Sequence, residues 1–361
     1  MNIKKRKLLV LGALAASVSL ALAWAQHAEP SLASMQPIDA HAHVFNTSPE
    51  FYPIFNRLNL RILNICVVDK HEKGFGDDAE SQHAKALEVR RASHGRAAFC
   101  STFDPEDWEA PDFAARTIKL LDQTFAQGAV AVKIYKNIGM ELKSKSGKYL
   151  MPDDPVFDPI MADIEQHNIT LFAHLAEPTS AWQPLDPASP DYDYYKNNPD
   201  WHMYQHPERP SKESILAARD LLLKRHPKLR VVGAHLGSME VDVDEIAKRF
   251  DLYPNFAVDT AARIPYLMLQ PREKVRAFLI KYQDRVLYAT DLVLLPWDNP
   301  AHAMKHWEAE YARDWKFFAT DETLTYNGRT VRGLALPEPV LRKLYHANAI
   351  KWVPGLSNLS P

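Results

Sequence analysis

Cysteine and glycine are both scarce in this chain, at two and 12 of 361 residues. Two cysteines cannot staple a small disulfide scaffold. They fall in separate strand-like segments, Leu60–Val68 and Ala97–Phe103, and Cys66 and Cys100 are expected as buried free thiols rather than a bridge. No glycine-rich loop is built to cradle a phosphate and no dinucleotide fingerprint occurs, so no organic cofactor is signalled. Neither sign of charge dominates: 43 Lys and Arg face 45 Asp and Glu, a formal net charge of −2. A nucleic-acid partner would want a basic stripe, and none is present. The chain also lacks an internal repeat and a low-complexity tract.

The beginning of the chain reads differently from the rest. Met1 to Lys7 carries Lys4, Lys5, Arg6 and Lys7, an apolar run follows from Leu8 to Ala23, and Ala23-Trp24-Ala25 precedes Gln26. A basic head, a short apolar middle and small residues at −3 and −1 predict a secretory signal peptide over residues 1–25. The run is short for a membrane-spanning helix, so cleavage after Ala25 is expected rather than an anchor. No cysteine follows for lipid attachment, and no Arg-Arg pair marks a twin-arginine route. A periplasmic or secreted protein is expected, with no membrane attachment after cleavage. Residues 26–361 are then long enough for one large α/β barrel.

Short apolar runs alternate with amphipathic stretches along that length. The expected strands are Ile38–His43, Arg61–Val68, Ala97–Phe103, Ala129–Tyr135, Thr170–Leu175, Arg230–Leu236, Asn255–Thr260 and Val286–Asp291. Helical patterns cover Ala79–His94, Asp112–Gln127, Lys212–His226, Val243–Leu252 and Arg272–Tyr282. Ser211 and Asp242 stand where N-caps belong, and Gly128 and Pro227 follow runs that they help to end. Apolar strands separated by helices imply a parallel sheet covered on its outer face. Eight such units predict a single α/β domain, a (β/α)8 TIM barrel, over an open doubly wound sheet. The first unit is the weakest, because Ser48–Leu60 is interrupted by proline.

Two connections exceed the usual few residues. One follows the fifth strand, Ala176–Pro210, and is dense in aromatics such as Trp182, Tyr194, Tyr195 and Trp201. The other follows the eighth strand, from Leu292 to a last helix at Glu338–Trp352. Both would rise from the same face of a barrel as lids or substrate walls; a surface embellishment or a homo-oligomer contact is the other reading.

The strand ends carry the chemistry. His41 and His43 lie two apart in Asp39-Ala40-His41-Ala42-His43, a spacing that puts both imidazoles on one face of a strand. The fifth strand finishes Phe172-Ala173-His174, the sixth Gly233-Ala234-His235 and the eighth Tyr288-Ala289-Thr290-Asp291. Each alone reads as a hydrogen-bonded core residue or a cap. In a parallel barrel, however, these ends converge, and unpaired polar groups at one depth are costly. One divalent cation would satisfy them together.

This ordered set resembles the amidohydrolase superfamily, and most of all the branch of metal-dependent TIM-barrel hydrolases that includes aminocarboxymuconate-semialdehyde decarboxylase. The likeness spans about Ile38 to Val353. It implies that His41, His43, His174 and Asp291 ligate the metal, with Asp291 also taking a proton from an activated water. His235 would polarise substrate or water around one ion, or bind a second. Lys133 shares the strand face of Ala129 and Ala131; in relatives with two metals a carboxylated lysine bridges them, while an unmodified Lys133 would anchor substrate or serve as an ion-pair partner. One ion is favoured and two remain open. Zinc is the default for an imidazole-rich site, with manganese, iron or cobalt as alternatives.

An exported metal-dependent hydrolase of a small, carboxylated amide, lactone or ester follows from this resemblance, with a non-oxidative decarboxylase of an aromatic or muconate-type acid as the alternative. Arg263, beyond the seventh strand, is the expected grip on a substrate carboxylate, with a surface salt bridge as its ordinary reading. Lys136 is a weaker cation for that purpose. Glu177 reads either as a carboxylate orienting a ligand imidazole or as loop polarity.

Overall fold

Eight parallel β-strands close on themselves in the computed structural model, which describes residues 30–71, 78–326 and 328–360. The expected signal peptide lies outside the described residues. Leu32–Pro361 forms one compact unit. Its strands are β1 (Ile38–Val44), β2 (Arg61–Ile65), β3 (Ala97–Thr102), β4 (Ala129–Ile134), β5 (Thr170–Ala173), β6 (Arg230–Gly233), β7 (Phe256–Asp259), β8 (Val286–Leu287) and β9 (Val293–Leu294). The order β8-β7-β6-β5-β4-β3-β2-β1-β9 makes every consecutive pair from β1 to β8 a neighbour and puts β9 beside β1.

The last two short strands share the eighth position. Ala40 N–H donates to the Tyr288 carbonyl at 3.0 Å, Asp291 N–H to the His41 carbonyl at 2.8 Å, and His43 N–H to the Leu292 carbonyl at 2.9 Å. These bonds run β1 alongside 288–294 and close the barrel. The fold is the expected (β/α)8 TIM barrel.

Its lower interior is apolar. Ile38, Ala40, Leu63, Ile65, Ala98, Cys100, Ala131, Phe172, Val232, Ala257, Leu287 and Ala289 pack as one buried cluster, closed below by Trp352 and Leu356. Alternate residues of the same strands, among them Ile62, Val132, Leu171, Val231 and Val258, face the surrounding helices. Small and branched side chains suit this narrow interior. Cys66 and Cys100 are both buried and free. Cys66 packs with Ala86 and Phe99, Cys100 in the barrel interior.

Helices Ala79–Ala92, Phe113–Ala126, Lys212–Arg225, Val243–Leu252 and Arg272–Lys281 fall where the periodicity put them. Ser211 caps its helix by accepting from Ser214 N–H, and Asp242 accepts from Asp244 N–H. Gly128 follows its helix with φ +96°, a conformation other residues resist. The connection after the eighth strand, for which the sequence reading named no helix before Glu338, contains a 20-residue helix, Pro300–Ala319. Asn299 caps it, proline occupies its first turn, and it buries Trp307, Tyr311, Asp314, Phe317 and Phe318 at helical spacing. Charged residues between those aromatics masked the pattern. A two-stranded hairpin follows, β10 (Thr323–Tyr326) and β11 (Arg329–Arg332). The other long connection holds only short turns of helix, such as Thr179–Trp182 and Tyr192–Asn197.

Candidate active site

Side-chain alternation decides what reaches the upper mouth of the barrel. Lys133 continues the inward face of Ala131, His174 that of Phe172, Asp259 that of Ala257, and Asp291 that of Leu287 and Ala289. Two strands break the rule. In β1 the pairing register shifts between Asp39 and Ala42, so Ile38 and Ala40 fill the interior while His41 and His43 line the cavity above. After β6 the chain turns left-handed, with φ of 60° at His235, 58° at Leu236, 61° at Gly237 and 58° at Ser238. Ala262 and Asp291 also have positive φ, 53° and 67°. Five of the ten non-glycine residues with positive φ among the described residues, His235, Leu236, Ser238, Ala262 and Asp291, thus fall at the strand ends that bear the polar residues.

The structure brings the expected residues together around one cavity of about 390 Å³, lined by His41, His43, His174, His235 and Asp291 with Lys133 and Arg263. Asp291 Oδ1 lies 3.4 Å from His41 Nε2 and 3.3 Å from His43 Nε2. Asp291 Oδ2 is 4.0 Å from His235 Nδ1. Ligand atoms of His41, His235 and Asp291 all lie within 4.8 Å of one another. The His174 ring centroid is 4.2 Å from that of His235, and its Nε2 is buried with no hydrogen-bond partner.

This donor set fits a transition-metal ion. Two ligands each about 2.1 Å from a tetrahedral ion stand about 3.4 Å apart, the separation found between Asp291 and the two β1 imidazoles. The orphaned His174 nitrogen is a buried polar atom that such an ion would satisfy. His43 Nδ1 donates to the Ile65 carbonyl at 2.8 Å and His235 Nδ1 to the Ala261 carbonyl at 3.0 Å. Nδ1 protons so placed leave the Nε2 lone pairs for ligation.

Electrostatics point the same way. Burial, reinforced by nearby cations such as Lys133, holds His41, His174 and His235 well below the ordinary imidazole range, so these rings are neutral. Lys133 is pushed down to about 8 by burial, against the pull of Asp259 and Asp291. Its Nζ sits 3.1 Å from His41 Nε2.

Arg263 is buried, not part of a surface salt bridge. Its Nη1 donates to the Ala262 carbonyl at 3.1 Å and lies 3.9 Å from Asp191, while its Nε is buried without a partner. Burial works against its charge, but Asp191 and Glu177 preserve it. Lys136 is differently committed. It pairs with Glu177, donates to Tyr194 Oη at 2.7 Å, and stands 4.3 Å over the Trp201 ring. Glu177 thus orients no imidazole and is no idle loop residue: it holds Lys136 and accepts from Tyr195 Oη at 2.9 Å.

One buried residue in contact with the site escaped the sequence reading. Asp259, wholly buried at the end of β7, places Oδ2 2.8 Å from His41 Nδ1. Its signal was available, since it stands two residues after the inward-facing Ala257. The Ala176–Pro210 segment supplies cavity wall through Asp191 and Tyr194, and the tip of the β10–β11 hairpin adds Tyr326. Nothing in the sequence placed that hairpin over the site.

A barrel with these residues at its strand ends is that of the amidohydrolase superfamily. The amidohydrolase family model matches residues 38–355, and the chain belongs to that family. Among solved structures, 5-carboxyvanillate decarboxylase from Sphingomonas paucimobilis is similar at 14% identity and TM-score 0.50, over 89% of this chain and 99% of that one. The 2,6-dihydroxybenzoate decarboxylase from Rhizobium matches at 14% identity and TM-score 0.50, over 88% and 98%. 4-Oxalomesaconate hydratase from Rhodopseudomonas palustris matches at 12% and TM-score 0.47, over 89% and 96%. No curated protein matches. At such identities these likenesses concern the fold alone.

Proposed function

We propose that the protein is a metal-dependent enzyme that decarboxylates a small, planar organic acid without an oxidant. The observation that carries this reading is the company kept by the ligand group: a buried guanidinium with an unpartnered Nε and a buried lysine share its cavity. An acid substrate would bring an oxygen acceptor to the unpartnered Nε of Arg263 and a further anion to Lys133. Tyr135, Tyr194 and Tyr326 on the wall offer flat faces for a conjugated ring or chain. That two chains of similar fold decarboxylate aromatic acids supports the reading without carrying it.

His41, His43, His174 and Asp291 would hold the ion, which we take to be zinc, and the ion would supply Lewis-acid polarisation of a substrate oxygen. Lys133 would neutralise the departing carboxylate. When the C–C bond breaks its electron pair stays on the substrate carbon, and a proton must arrive there. Asp291, ionised at rest, would first accept that proton from a water molecule and then pass it to the carbon, with His235 beside it; the hydroxide left over would combine with the carbon dioxide released. Arg263 would fix the far end of the substrate.

Hydrolysis of an amide, lactone or ester is the second reading, favoured by one observation: Asp291 Oδ1 stands 3.4 and 3.3 Å from the Nε2 atoms of His41 and His43, where it could take a proton from a water on the same ion. Carbon dioxide release from aromatic and muconate-type acids, set beside an ester, lactone and amide panel, separates the two. The assays are run with zinc, manganese or cobalt and with chelator. Hydrolytic turnover without carbon dioxide would reverse the order, and turnover indifferent to chelation would sink both. Elemental analysis would give the number and identity of ions. For residues 1–25 we propose removal on export, which N-terminal sequencing beginning at Gln26 would verify.

A further inference from the structure

We propose that Asp259 is a positioning residue for the metal centre, one carboxylate that sets the tautomer of His41 and pins the left-handed turn bearing His235. Asp259 Oδ1 accepts the backbone N–H of His235 at 2.7 Å and of Ala261 at 3.1 Å. That leaves Oδ2 for His41 Nδ1, 2.8 Å away. On the opposite edge of the same ring, Nε2 meets Lys133 Nζ at 3.1 Å. A lysine ammonium only donates, so Nε2 accepts and the ring proton resides on Nδ1, where Asp259 receives it. Two independent contacts therefore agree on one tautomer. They turn the Nε2 lone pair to the side of the ring where Asp291 Oδ1 lies, 3.4 Å off. Meanwhile the two N–H bonds to Oδ1 tie the strained backbone at His235, φ 60°, to the end of β7. A single group thereby sets the relation between β1 and β6 at the site.

Asp259→Asn separates these roles. Its amide oxygen can still accept the two backbone N–H groups, but its NH2 now faces His41 Nδ1. Nδ1 must then accept, the proton moves to Nε2, and the ligating lone pair is lost. Nitrogen-15 NMR of the histidines in the metal-free protein reads this directly. Wild type should show His41 protonated on Nδ1, and Asp259→Asn should show it on Nε2. Zinc affinity, measured by chelator competition, should fall roughly 10–100-fold in the variant. A wild-type His41 protonated on Nε2 would overturn the proposal even if the variant does not fold. An unchanged tautomer or unchanged zinc affinity in a folded variant would do the same. The affinity arm rests on the metal-dependent reading, whereas the tautomer arm does not. A wild type that binds no zinc would therefore defeat that reading and leave Asp259 to be judged by the spectrum.

Discussion

The two ends of the same eight strands obey different rules. Below, inward positions such as Leu63, Ala98, Ala131, Val232 and Leu287 are apolar and buried, and the C-terminal residues Trp352 and Leu356 close the floor. Above, the next inward positions are Lys133, His174, Asp259 and Asp291, and the backbone at His235, Ala262 and Asp291 is held at positive φ. Apolar burial in the lower half stabilises the fold, and the non-glycine positive φ found there, at Gln36, Asn59, His94 and Asn168, belongs to turns that enter strands and carry none of the site residues. The upper half keeps costly polar groups and strained residues because the lower half holds the strands in register. Stability and chemistry are thus divided along the barrel axis, and substitutions should sort by height.

The sharpest break should come from Asp291→Asn. Removing this carboxylate takes away the shared partner of His41 and His43. Turnover should fall roughly 10³-fold or more, with thermal unfolding of the metal-free protein nearly unmoved. Its counterpart lies four residues earlier, below the site. Leu287→Ala, in the fully buried interior cluster, should cost about 2–5 kcal/mol of stability. The turnover of its folded fraction should stay within a few-fold of wild type. Denaturant titration and steady-state rates on both variants check the division. A large stability loss in the first or a large rate loss in the second would erase it.

The same boundary separates what was legible from what was not. Helix limits, caps and the apolar strands could be read because each depends on local periodicity, as in Lys212–Arg225 behind the Ser211 cap. Lys133, His174 and Asp291 were legible as continuations of an apolar alternation. His41 and His235 were found only as motif residues, since alternation from Ile38 and Val232 places each on the wrong face. A register shift and a left-handed turn correct this, and neither has a clear sequence signal. Asp259 went unread although its parity was right, because Asp-Thr at a strand end looks like an ordinary cap. The Tyr326 hairpin depends on tertiary placement alone.

A smaller effect should appear in the pH dependence of stability. Lys133 titrates near 8 in the folded, metal-free protein, below its ordinary 10.5. Between those values the unfolded chain binds more protons than the folded one, so stability rises with pH across that window. Below pH 8 both states are protonated, and the burial penalty is fully present. The contribution of Lys133 should therefore improve by about 2–3 kcal/mol from pH 7 to pH 10. Subtracting the profile of Lys133→Met isolates it from other titrating groups. A difference that stays flat, or that favours the variant as pH rises, would remove the buried, unmodified amine from the account.

The finest test places one substitution at both heights. Ala262 has φ 53°, donates its N–H to the Thr290 carbonyl at 3.0 Å and accepts from Arg263 Nη1 at 3.1 Å. Glycine there relieves about 1–2 kcal/mol of left-handed strain, set against roughly 0.5–1 kcal/mol of extra chain entropy. Ala262→Gly should be neutral or stabilising by up to about 1 kcal/mol. By loosening the residue next to Arg263, it should raise KM a few-fold more than it lowers kcat. Ala131 sits in the lower interior, fully buried and outside the positive-φ set. Ala131→Gly relieves no strain and loses a packed methyl, so it should destabilise by about 1 kcal/mol or more without altering KM. Opposite signs from the same exchange would show that positive φ at Ala262 carries a cost that Ala131 does not bear. Equal losses at both positions would mean that positive φ at Ala262 carries no energetic penalty.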